Sequence, residues 1–587
     1  MSHESRHDLL MFGRTLRLPL VRDAVTAYRQ QGMFAWLYSR IRWYNYVKGD
    51  CHLTLGCGPQ SGPDTDEFAL DLGCLVKAIG GPKLLFALNR AFSLPPYRTI
   101  GRHRQVPQLL PSILTPTFED ATANISTFFN TSERPLSAPA GHSLLLDGVA
   151  LEEKCRYVRS SDNVIGLCRE HAGSLELRVQ STQSIIAIEE AVHTENPQAH
   201  YSSEATVAAI APFRSSNTLR SHLLYLEAVR LRLERQWRTC GLIWSIATDG
   251  EPTMRMGRFF LCMSHKLPPS DPLYSLLQNL PGLNLFTGEN NVTMTCDPKH
   301  ILKRFATLLR AREGILIDKS IVNKNHLLSH LIKLPYIDPS SVEALIDPAD
   351  KQNVPKAVTL IQSLDQLKSL DITKYNPSQT NEHNSLIAVG KVFSSFMNPF
   401  TDINMSLSDQ LTSLSKYAHT TSIIYSKHST DFMTSALYAD SQAVVKDIYF
   451  CVAKQKILDP QADFYIIHCG TDRLEMDFCL ARTQTHHRNF DILDLTGKLA
   501  TSSLIDAIYA RNPELDAGSR RLNISHSVGI DHVNPKSWIG DVGVDKVSLQ
   551  LCWEEGRKQA INLLSSIYLE ALGARGHLPS DDIVITL

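Results

Sequence analysis

The stretch Leu242-Ile-Trp-Ser-Ile-Ala-Thr-Asp-Gly250 constrains the fold more than any other. It is a short run of β-forming and apolar residues, the length of a buried strand, closed by a carboxylate and a turn glycine. An acid so placed sits at the carboxyl end of a strand, where open α/β sheets hold their ligands. Two more stretches share the design. His142-Ser-Leu-Leu-Leu-Asp-Gly-Val149 carries Asp147 before Gly148, and Asn291-Val-Thr-Met-Thr-Cys-Asp-Pro298 ends in Asp297. Each Asp-Gly can simply close a turn, and Asp297 before Pro298 suits the N-cap of a helix. Three strand-end acids in one region also suit carboxylates brought together.

The pattern around these runs is α/β. We expect strands over 142–151, 164–171 and 205–212, a further candidate strand over 175–179, and an amphipathic helix over 219–236. Strand 242–248 follows, then helical pieces near 258–265 and 273–278, strand 292–296 and helix 300–312. Strands that pair locally and then alternate with helices predict a mixed sheet covered by helices. Residues 1–135 read as a mostly helical N-terminal region suited to oligomerisation or DNA contact. Residues 136–315 form the first part of the α/β domain, and 316–460 read as an α-helical insertion with a polar loop over 371–385 and a helix over 429–456. The α/β pattern resumes over 461–515 with a strand-like piece at 464–468 and a helix at 473–482. The C-terminal region spans 516–587, with a helix near 554–573.

Charged residues make up 20% of the chain and its net charge is −1, so it is not basic throughout; a local basic patch can still hold nucleic acid. No apolar run reaches about 18 residues, so no membrane span is expected. The twelve Cys are unevenly spaced. Cys168, Cys262, Cys451 and Cys479 lie in apolar runs and read as reduced, buried thiols of an intracellular protein. Cys51, His52, Cys57 and Cys74 fit no usual zinc spacing.

Two strand-end carboxylates and a third acid on a later helix can hold two divalent cations, Mg²⁺ or Mn²⁺. Four motifs bear on this. They are Leu145-Leu-Asp-Gly-Val-Ala-Leu151, Thr248-Asp-Gly-Glu-Pro-Thr253, Cys296-Asp-Pro-Lys-His-Ile-Leu-Lys-Arg304 and Gly470-Thr-Asp-Arg-Leu-Glu-Met-Asp-Phe-Cys-Leu-Ala-Arg482. In order and content they resemble RNase H-like DNA transposases of the P-element and THAP-related type, akin in architecture to hAT transposases. The resemblance covers about 140–515. It implies an RNase H-like mixed sheet interrupted by the insertion, with Asp147, Asp249 and Glu475 as catalytic, metal-binding acids. Asp297 and His300 would support them, and Lys299, Lys303, Arg304 and Arg482 would contact DNA. It further implies DNA as partner, a homo-oligomer, no membrane, and a nuclear location in a eukaryote.

The chain departs from the family pattern where Gly148 follows the first acid and Met254 replaces an expected Asn. Three functions therefore stand at this stage. One is a transposase-like nuclease and strand transferase. Another is a domesticated, inactive relative that binds DNA or protein, and the last is a scaffold whose acids are turns and caps. Asp472-x-x-Glu475 also reads as a capping box, in which Glu475 would serve the helix start.

Overall fold

A computed structural model describes residues 67–568, apart from 107–108, 113–118, 121–122, 125–140, 214–221, 225–241, 319, 336, 350–352, 485–488 and 517–534. Two helices come first, α1 (Glu67–Phe92) and α2 (Tyr97–His103). The central sheet then takes β1 (Gly141–Ala150), β2 (Glu204–Pro212), β3 (His222–Leu224), β4 (Leu242–Thr248) and β5 (Thr293–Cys296), in the spatial order β3-β2-β1-β4-β5. β1, β2 and β3 are antiparallel neighbours, while β4 and β5 run parallel to β1. This is the RNase H-like arrangement. Alternation along β1 sends Leu144 and Leu146 to one face and Leu145 and Val149 to the other.

Between β1 and β2 lie a short hairpin (Arg156–Val158 with Asn163–Ile165) and α3 (Thr182–His193). After β4 comes α4 (Pro252–Cys262), and after β5 comes α5 (Pro298–Arg310). The insertion is helical. Its main helices are α6 (Pro377–Thr401), α7 (Leu407–His428) and α8 (Ser435–Leu458), and a small hairpin, Ile315–Ile317 with Ser320–Val322, precedes them. Then come α9 (Asp472–Thr483), α10 (Ile492–Arg511) and α11 (Leu549–Ile567). The insertion and α5 share one core with the Leu144 face, whereas α9 and α10 cover the Leu145 face.

Several expectations need correction. The strand expected over 164–171 stops at Ile165, because Gly166 turns to φ +103 and leads into a helical turn at Arg169–Ala172. Over 175–179 only Arg178 makes a bridge, to Asn163. The second strand of the sheet is therefore β2, and the third is β3, which falls inside the stretch expected to be helix; the rest of that helix, 219–221 and 225–236, lies outside the described residues. The polar loop expected over 371–385 ends at Asn376, whose capping box with Gln379 starts α6. The piece at 464–468 is no strand: Phe464 and Ile466 are buried, the 3₁₀ turn Ile466–His468 follows, and only Asp463 bridges, to Gly543. Cys262 and Cys451 are buried free thiols as expected, but Cys168 is half-buried and Cys479 is exposed. Cys51, His52 and Cys57 lie outside the described residues, and Cys74 is a buried free thiol. Among the described residues no helix is long and apolar enough to cross a membrane.

The N-terminal helices dock on α10 through an apolar cluster that includes Leu72, Leu75, Ile505 and Ile508, and through one buried carboxylate. Asp71 accepts from Arg104 Nε (2.8 Å), Arg511 Nε (2.9 Å) and Nη2 (2.8 Å), and Asn512 Nδ2 (2.8 Å). Burial alone would raise this carboxyl, but the bonds from Arg511 and Arg104 outweigh it and hold it below its ordinary value. A depressed folded pKa contributes stability that is complete above the unfolded value, near 3.9, and lost as pH falls through the folded one. We expect acidification below about pH 4 to loosen α1 from α10, read as faster amide exchange in 67–92. Asp71→Asn should cost about 2 kcal/mol and remove that pH dependence.

Candidate active site

The site is assembled from strand ends. Leu146 pairs with Thr248, and Thr248 with Cys296. The next residue on each of these three adjacent parallel strands is an aspartate: Asp147, Asp249 and Asp297. Neighbouring strands run roughly 4.8 Å apart, so the three acids start side by side. Asp147 has the parity of Leu145 and Val149, which share a core with Leu474 and Phe478 of α9. Asp249 continues the parity of Ala247 in the same cluster. Both acids thus belong to the face that carries Glu475.

Hydrogen bonds fix how α9 arrives. Asp297 is buried and caps α5, its Oδ1 accepting from Lys299 N at 2.6 Å. Its Oδ2 accepts from Thr471 N at 3.2 Å and Thr471 Oγ1 at 2.9 Å, which ties the start of α9 to the start of α5. Gly470, at φ +133, allows this close approach; a Cβ there would stand 2.7 Å from Pro298 Cδ. Lys299 pairs with Asp472 across the same junction. The capping box expected at Asp472 and Glu475 does not form: Thr471 holds the cap position, and Asp472 is already inside the helix. Glu475 is left to interact elsewhere. Its Oε1 lies 3.6 Å from His300 Nε2.

Electrostatics record this crowding. Burial first, then the charges of Glu475 and Asp249, push the Asp147 carboxyl up to about 7. Burial alone would raise Glu475, but pairing with His300 and the nearby Lys299 bring it below its ordinary value. Burial alone would lower His300, yet Glu475 and Asp297 raise it. Asp249 is half-buried, and its Oδ1 accepts from Glu251 N at 3.1 Å.

Hard divalent cations take carboxylate oxygens, and Asp147, Asp249 and Glu475 are a donor set of that kind. Among the described residues no three His, Cys, Asp or Glu side chains already stand close enough to hold an ion. Glu475 leans toward His300, and both Asp297 oxygens are committed to backbone and hydroxyl donors. In kind the donors fit such a cation, and Glu475 is turned toward His300.

Lys299 and Arg304, both expected to meet DNA, are taken up inside the chain. Lys299 pairs with Asp472, and Arg304 Nη1 donates to Asp440 Oδ2 at 2.6 Å. Lys303 is half-buried on α5, and Arg482 is exposed on α9. Sequence reasoning missed Thr471 and Asp440 as organising groups, and read Asp472 as a helix cap where it pairs with Lys299. Asp440 becomes telling only in the structure: α8 is buried continuously from Leu437 to Gln455, and a carboxylate inside such a helix needs a cationic partner.

Sheet order, insertion and acid-bearing helix together define an RNase H-like fold of the transposase kind. A solved structure bears the same architecture, the Drosophila P element transposase strand transfer complex. It aligns with a TM-score of 0.50 at 14% identity, over 78% of this chain and 94% of that one. At that identity the likeness is one of fold. No family model matches the chain, and no curated protein matches it.

Proposed function

We propose that this chain is a transposase-like polynucleotidyl transferase acting on duplex DNA, with Asp147, Asp249 and Glu475 as its metal-binding acids. The observation that carries the reading is the register that sets Asp147 and Asp249 at neighbouring strand ends, on the face where Glu475 arrives. Mg²⁺ or Mn²⁺ held there would activate a water or a 3′-hydroxyl and stabilise the leaving oxygen during phosphodiester transfer. The chain's own residues do the rest. Asp297 and Thr471 anchor α9 to the sheet, and His300 stands beside the Glu475 carboxylate as a supporting residue. Arg482, seven residues beyond Glu475 on the same helix face, and Lys303 contact the phosphate backbone. Assembly into a homo-oligomer and, in a eukaryote, a nuclear location accompany this reading.

A second reading, an inactive relative that binds DNA or protein through the same fold, is favoured by one observation: Glu475 is engaged by His300. Supercoiled plasmid incubated with the full chain separates the two. The first predicts open-circular product with Mg²⁺ or Mn²⁺ and none with EDTA. Plasmid retardation without cleavage in either metal would replace it with the second.

A further inference from the structure

Asp440 sits on α8, in the helical insertion, and is buried. Three guanidinium groups from the α/β domain converge on it. Arg255 donates through Nε to Oδ1 (3.0 Å) and through Nη2 to Oδ2 (2.8 Å), Arg258 reaches Oδ1 at 3.3 Å, and Arg304 reaches Oδ2 at 2.6 Å. Arg255 and Arg258 belong to α4, and Arg304 to α5. A cluster of this kind can be structural only. Here it touches the proposed site: Arg255 Nη2 also donates to the Gly250 carbonyl at 2.6 Å. Gly250 lies against three of the four members, since a Cβ there would stand 3.2 Å from Arg304 Nη1, 3.5 Å from Asp440 Oδ2 and 3.6 Å from Arg255 Nη2.

The consequence concerns the residue before Gly250. Strand pairing of β4 ends at Thr248, whose carbonyl accepts from Asp297 N at 3.1 Å. The Gly250 carbonyl is held by Arg255. The backbone is therefore fastened on both sides of Asp249, once by the sheet and once by a side chain whose orientation the insertion sets. Among the described residues, Asp440 is the acid that orders Arg255.

We propose that Asp440 is a positioning residue for Asp249: through Arg255 it clamps the Asp249–Gly250 turn to the helical insertion. Asp440 contacts no substrate; its effect passes through Arg255 and the Gly250 carbonyl. The functional meaning of the clamp rests on the reading of Asp249 as a metal-binding acid, but the clamp itself can be tested without metal.

The test uses the full chain as wild type, Asp440→Asn, Arg255→Gln and the double variant. Amide exchange over 248–256 is followed without metal, and Mn²⁺ binding is followed by electron paramagnetic resonance. Both single variants should exchange about tenfold faster across the Asp249–Glu251 turn, with native near-ultraviolet circular dichroism. They should bind Mn²⁺ on the order of 10- to 100-fold more weakly, as loss of a group that orients a metal ligand does. The double variant should be no worse than Arg255→Gln, because the two residues act in series. If Asp440→Asn fails to fold, Arg255→Gln carries the test, since it leaves Asp440 paired with Arg258 and Arg304. Wild-type exchange over 248–256 in a folded Arg255→Gln overturns the clamp. Faster exchange in a chain whose wild type binds no Mn²⁺ upholds the clamp and removes the metal reading instead.

Discussion

Asp249→Asn is expected to lower metal-dependent DNA nicking by at least about a thousandfold, roughly 4 kcal/mol of barrier. Asparagine keeps the shape of the side chain and can still accept from Glu251 N, so the turn into α4 should persist. What it loses is the negative charge beside Asp147. Because that charge helps to push the Asp147 carboxyl up to about 7, the variant should leave Asp147 more readily ionised while stripping the site of one ligand. A merely structural Asp249 would behave differently: the variant would shift the unfolding midpoint and leave nicking in proportion to the folded fraction. Unfolding in urea should therefore stay within about 0.5 kcal/mol of wild type, as for substitutions away from a packed core. Nicking that survives in a folded Asp249→Asn protein would remove Asp249 from the site.

Much of this geometry was legible in the chain. β1, β4 and β5 are short apolar runs that each hand over to an aspartate, and the predicted strand limits differ from the observed ones by a residue or so. Their register could not be read, yet it is the register that sets the three acids abreast. Local competition hid other parts. Gly166 cut short a run rich in strand formers, and the Asn376–Gln379 capping box began a helix inside a polar stretch. Long-range partners hid the rest. Lys299 and Arg304 look like free cations in sequence, but the acids that claim them stand 173 and 136 residues away. Glu475 illustrates both effects. Its spacing from Asp472 matches a capping box, and only the tertiary contacts of Thr471 with Asp297 move the cap back by one residue and release the glutamate.

Trp553→Ala should destabilise the protein by about 3–5 kcal/mol, the range for large aromatic deletions in a packed core. Trp553 on α11 is fully buried. Its ring meets Tyr449 of α8 edge-on at 4.9 Å and His419 of α7 at 4.7 Å, and its Nε1 donates to Pro281 O at 3.0 Å. The helices are too close to refill the space by sliding inward: at Gly556 a Cβ would come within 2.5 Å of Ser415 Oγ and the Thr412 carbonyl. The same helix α8 is fastened to the sheet. Asp447 accepts from Ser245 Oγ (2.9 Å) and Thr293 Oγ1 (2.5 Å), and Lys454 Nζ donates to the Trp244 carbonyl (2.8 Å). Loss at Trp553 should therefore be felt where the acids stand, because α8 braces β4 and β5 from behind. Urea unfolding followed by far-ultraviolet circular dichroism should show one transition moved to lower denaturant. Two separated transitions, with the α/β part melting at its wild-type midpoint, would mean that the C-terminal helix and the insertion stabilise themselves and not the sheet that presents Asp147 and Asp249.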